Sequence, residues 1–73
     1  MVKYWEQEPD ATIDTGRNII RYWNSAGKIQ FQAKGINRDG KEWLGRIVPL
    51  DCDALRETDG ALGVLQNIFA EIA

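Results

Sequence analysis

The plainest pattern in this chain is an alternation. In "GKIQFQAKG", residues 27–35, Ile29, Phe31 and Ala33 fall on one side of an extended segment, and Lys28, Gln30, Gln32 and Lys34 on the other. That period of two predicts a strand over 28–34. Two strands flank it. "RNIIRYWN" (17–24) is rich in β-branched and aromatic residues. "KEWLGRIVPL" (41–50) is another strand, ended by Pro49, with Gly45 inside it marking a bulge. "NSAG" (24–27) and "NRDG" (37–40) are the turns between them. Ahead of these, "VKYWEQ" (2–7) reads as a short strand and "EPDATIDTG" (8–16) as a loop.

The period then changes. "LDCDALRE" holds one helical turn capped by Asp51. "TDGALGVLQNIFAEIA" (58–73) is the main helix, with Thr58 or Asp59 as its cap. Leu62, Leu65, Ile68, Phe69 and Ile72 recur at spacings of three and four and form one apolar stripe. Four consecutive strands and a helix predict an antiparallel meander with the helix packed on its apolar face, a two-layer α+β fold. The chain reads as a single domain over 1–73: an N-terminal strand and loop (1–16), a β-meander (17–50) and a helical C-terminus (51–73).

Size and composition sharpen this picture. A 73-residue chain buries only about 60% of its unfolded surface, so its core is marginal. With Cys52 as the one cysteine and no histidine, neither an internal disulfide nor an ordinary zinc site can reinforce it. Self-association remains, and a homodimer is the expectation. No cofactor is implied. The absence of a long apolar run and of a signal-like start predicts a cytoplasmic protein with no membrane contact and a reduced Cys52.

Charge is unevenly placed. Residues 1–16 carry a net −3, residues 17–46 a net +5 and residues 47–73 a net −4. Charges resist unpaired burial. The Arg21 side of the second strand and the Arg46 side of the last are therefore expected outside, beside Gln30 and Gln32. That assembles Arg17, Arg21, Lys28, Lys34 and Arg46 on one outer face, with Ile19, Trp23, Leu44 and Val48 among them. Such a face has three readings: a wet sheet surface, a protein interface, or a groove for single-stranded nucleic acid. In the last, cations meet phosphates and an aromatic ring (Trp23, Tyr22 or Trp43) stacks on bases.

Catalytic chemistry finds little support. The carboxylates of "DCDALRETD" match no calcium-loop spacing and suit helix N-termini. Cys52 has no histidine to act as its base. No phosphate loop or serine-hydrolase signature is present. The chain is expected not to be an enzyme.

The segments "GKIQFQAKG", "GKEWLGRIVPLD" and the final helix together resemble, in pattern and order, the single-stranded-DNA-binding transcriptional coactivator family and its small bacterial relatives. "GRIVPLDCDAL" (45–55) is similar to that family's Gly-basic-strand segment, which ends in a capping residue before the helix. The resemblance implies a curved four-stranded sheet followed by one helix, dimerisation through that helix, phosphate contacts from Arg21, Lys28, Lys34 and Arg46, and stacking by Trp23. The expected function is a dimeric, non-enzymatic module binding single-stranded nucleic acid. The alternative is a protein-binding adaptor or inhibitor of the kind that phage and mobile elements encode.

Overall fold

Alternation in the central strand sets the frame of the sheet, and the remaining elements arrange themselves around it. The computed structural model describes residues 2–73. Strands β1 (Ala11–Asp14), β2 (Asn18–Trp23), β3 (Lys28–Ile36) and β4 (Glu42–Asp51) form one antiparallel sheet in the order β1-β2-β3-β4. Helices α1 (Cys52–Glu57) and α2 (Ala61–Ile72) follow. The α+β meander with a helical C-terminus is therefore the fold of this chain.

The first strand is not where propensity puts it. Tyr4–Glu6 form a single 3₁₀ turn, and β1 lies inside the stretch expected to be a loop. The turn chemistry of that stretch belongs to the hairpin itself. Asp14 Oδ1 accepts from the Gly16 N–H, and Thr15 Oγ1 accepts from the Asn18 N–H, both at 2.9 Å. Two capping expectations divide. Asp51 does cap α1, accepting from the Asp53 and Ala54 N–H groups. Neither Thr58 nor Asp59 caps α2. Gly60 stands there, while the Thr58 hydroxyl donates back to the Ala54 carbonyl at 2.7 Å and closes α1.

Strand β4 runs through Pro49 to Asp51 rather than ending at the proline. It is an edge strand, where a missing N–H is tolerated. The bulge read at Gly45 is present. Gln32 pairs with Ile47 and Lys34 with Leu44, so Gly45 and Arg46 together stand opposite Ala33. Near the turn of this hairpin the Trp43 ring lies across Gly35. A Cβ there would come within 2.7 Å of the ring, so only glycine leaves room for it.

Register divides the sheet into two faces. One carries Ile19, Arg21, Trp23, Lys28, Gln30, Gln32, Ile47 and Pro49, and is called the amide face below. The other carries Ile20, Tyr22, Ile29, Phe31, Val48 and Leu50, the apolar face. The closed core sits on the amide face. Trp23 is 3% exposed, Gln30 6% and Gln32 8%. The N-terminal segment crosses this face and covers Trp23. Tyr4 meets Trp23 edge-on with ring centres 5.2 Å apart, and the Trp23 indole N–H donates to the Gln7 carbonyl at 3.0 Å.

The apolar face is covered at one end only. Helices α1 and α2 stand over it across a groove of about 290 Å³ lined by Ile29, Phe31, Leu50, Leu55, Leu65 and Phe69. Phe31 stays 39% exposed and Phe69 60%, and Ile13, Val48, Ile68 and Ile72 are also open to solvent. The molecule is a slab 45 × 40 × 17 Å. Its radius of gyration is 14.6 Å, against about 11 Å for a compact domain of this length.

Trp23 is the only apolar side chain among the described residues that is buried. Trp23→Phe removes its hydrogen bond and part of its buried area, and is expected to cost about 1–2 kcal/mol. Urea unfolding checks the cost. Limited proteolysis checks the mechanism: cleavage within residues 3–9 should accelerate before global unfolding does.

Candidate functional site

The amide face and the segment that crosses it leave an open cleft of about 420 Å³ between them. Trp5 and Pro9 form one wall, Ile47 the opposite one, and Trp23, Gln30, Gln32 and Arg21 line the rest. Each polar group is held from behind. The Gln30 amide Nε2 donates to Tyr4 Oη at 3.2 Å. Gln32 Nε2 donates to the Gly45 carbonyl at 3.0 Å, and Gln32 Oε1 accepts from Arg21 Nη1 at 3.2 Å. The bulge thus has a local use: it turns the Gly45 carbonyl toward a buried amide that would otherwise lack an acceptor. Trp5 is 52% exposed. Lys3 Nζ lies 5.3 Å from its ring centre and adds a cation at the rim.

The six residues expected to form one basic, aromatic surface are not brought together. Arg21 lines the cleft, and no carboxylate among the described residues pairs with it. Trp23 shares the cleft but is buried, so it offers no free ring to a stacking base. Lys28 and Lys34 are on the expected face and are each paired with a carboxylate, Lys28 with Asp51 at 3.1 Å and Lys34 with Asp14 at 2.8 Å. Arg17 lies outside the cleft, at a separate depression of about 600 Å³ that it lines together with Lys34, Gly35 and Trp43. Arg46 is on the wrong face. A bulge shifts alternation by one residue, so Ile47, not Arg46, stands beside Gln32, and Val48 moves with Arg46 to the apolar side.

Two of the proposed aromatic platforms are also elsewhere. Tyr22 pairs with Ile29 on the apolar face, and Trp43 is opposite Gly35 beyond the bulge. The residue that sequence reasoning missed is Trp5. A signal for it existed: Trp23 on an otherwise polar face needed an apolar cover, and Tyr4, Trp5 and Pro9 are the nearby residues able to supply one.

The two ion pairs shape the electrostatics. The hydrogen bond from Lys34 holds the Asp14 carboxyl below its ordinary 3.8, helped by the Gly16 N–H. Lys28 does the same for Asp51, helped by the Ala54 N–H. Among the described residues no group of three or more carboxylate or thiol side chains is placed to hold a metal ion, and no helix is long and apolar enough to cross a membrane. Compared with family models, curated proteins and solved structures, the chain matches none.

Both carboxylates have folded-state pKa values below their unfolded ones. Their contribution to stability is complete above the unfolded value of 3.8 and is lost as pH falls through the lower folded values. The urea midpoint is therefore expected to be level above about pH 5 and to drop below about pH 4. In Asp14→Asn/Asp51→Asn the drop should shrink. An unchanged acid limb in that variant would show that these pairs contribute nothing to it.

Proposed function

We propose that this chain is a small, non-enzymatic, homodimeric binding module that holds single-stranded nucleic acid at the cleft on its amide face. The observation that carries this reading is the exposed Trp5 ring beside Arg21, a cation without a carboxylate partner among the described residues. A ring to stack on and a guanidinium to meet a phosphate or base edge are the two elements a single strand needs. Lys3 adds charge at the same rim. Lys28 and Lys34 lie outside the cleft lining with their charge compensated, so the contact is short, a few nucleotides rather than a long tract.

The dimer reading rests on surface. A compact folded chain of this size exposes about 4,600 Å², whereas this one exposes 6159 Å². The excess is about 1,600 Å² per copy, and the sum over two copies falls in the range of permanent dimer interfaces. Part of the exposed surface is apolar surface of the sheet's apolar face and α2, where Phe31, Val48, Ile68 and Phe69 remain 39–60% exposed. Two such faces packed together would give each chain the second layer it lacks.

Tryptophan fluorescence with oligo-dT tests the first part. Quenching should saturate at low salt and weaken as salt rises. Trp5→Ala should weaken binding about tenfold, the value of one stacked base. Arg21→Ala should also weaken binding, and Lys3→Ala, which removes the charge at the rim, should reduce the slope of log affinity against log salt by about one. Absence of quenching at low salt by the folded protein would refute the reading.

Sedimentation equilibrium tests the second part. The unmodified chain should sediment as a dimer at micromolar concentration, and Phe69→Asp should give a folded monomer, because it places a charge in the seam. A chain that stays monomeric would leave the apolar face to a different protein, which is the adaptor reading.

A further inference from the structure

The cleft carries more fixed hydrogen-bonding groups than backbone contact requires. Gln30 is 6% exposed, and its Nε2 is committed to Tyr4 Oη. Its Oε1 accepts from no described group. No buried side-chain polar atom among the described residues is left without a partner, so that oxygen keeps some exposure, and Gln30 lines the cleft. Arg21 stands directly opposite Gln30 in the β2–β3 register, which places their Cβ atoms about 5 Å apart. One guanidinium nitrogen is tied to Gln32, and the remaining N–H groups are free. The cleft therefore presents a fork of donors next to a fixed acceptor, with the Trp5 ring at its wall.

We infer that the cleft receives one unstacked guanine base, an assignment that rests on the nucleic-acid reading above. Guanine carries two adjacent acceptors, O6 and N7, that suit a bidentate arginine. Its N1–H and N2–H donors lie on the next edge, where Gln30 Oε1 can accept. Adenine turns its N6 amine toward the arginine, donor against donor. Thymine and uracil separate their two carbonyls by an N–H and cannot engage both arms of the fork. Cytosine offers two acceptors and a donor in the same order, but on a single ring that covers less of Trp5.

The test uses the full chain and 5′-labelled dT oligonucleotides that differ at one central position, read by fluorescence anisotropy at two salt concentrations. A central dG should bind about tenfold tighter than dT, dA or dC. The ratio should hold at both salts, because counterion release acts on the shared backbone. Arg21→Lys keeps the charge and loses the fork, so the dG advantage should vanish while the salt slope stays. Gln30→Met, of similar shape, should remove part of the advantage and leave the fold intact by circular dichroism. Equal binding of all four oligonucleotides, with normal salt dependence, overturns the guanine assignment and leaves the single-strand reading standing. Tightest binding of the dC strand also overturns it. Failure of every oligonucleotide removes the single-strand reading. In that case guanosine monophosphate and adenosine monophosphate are compared directly. Preference for the former keeps the base assignment as a free-nucleotide site, and equal or absent binding ends it.

Discussion

The packing of Trp23 against the N-terminal segment is the contact on which the rest of this structure depends. A four-stranded sheet has two faces, and one short helical layer cannot cover both. Here residues 4–9 lie over one face and the helices, within residues 52–72, over the other. The first closure is tight around Trp23 and leaves the cleft beside it. Trp23 is enclosed by Tyr4, its indole N–H is satisfied by Gln7, and the amides of Gln30 and Gln32 are drawn into the same layer, each with its Nε2 donating to a fixed oxygen. The second closure is partial, because α2 leaves a groove between itself and the strands. The chain thus has a polar, specific core on one side and an unfinished apolar layer on the other.

That inversion explains the features of the cleft. Buried amides are costly unless every donor and acceptor is placed. Gln30 and Gln32 are placed by a tyrosine hydroxyl, an arginine and a carbonyl freed at a bulge. The result is a small set of oriented groups on rigid strands, next to the exposed Trp5 ring. Specific recognition needs that arrangement more than it needs net positive charge.

Much of the fold was readable from local pattern, and most of the site was not. The three long strands follow from period-two alternation and turn residues, which are local quantities. The faces of β2 and β3 were also readable, since alternation there is uninterrupted: Arg21 does lie beside Gln30. Across Gly45 the same rule fails, because the bulge was seen but its one-residue shift was not carried through to Arg46 and Val48. The misplaced first strand has a different cause. Val, Tyr and Trp favour strands because they pack on pleated surfaces, and "VKYW" supplies Tyr4 and Trp5 to such a surface from outside it. The neutralised lysines were invisible for a third reason. Lys34 finds Asp14 twenty residues away and Lys28 finds Asp51 across the sheet, and no helical or cross-turn spacing announces either pair. Trp23 looked like a platform and is a keystone, a difference set by residues sixteen positions earlier.

The proline and the bulge in β4 have a consequence for how this molecule meets others. An outer strand normally offers its free N–H and carbonyl groups as a template for a foreign strand. In β4 that ladder is interrupted at Pro49, which has no donor, and again at Gly45 and Arg46, where the spacing of the groups changes. An incoming segment could match only the few residues between these breaks. This edge of the sheet is thereby guarded against growing sideways into fibres, and on that side association falls to the plane of the sheet. Association through a plane is self-limiting, since one contact uses up the whole of it.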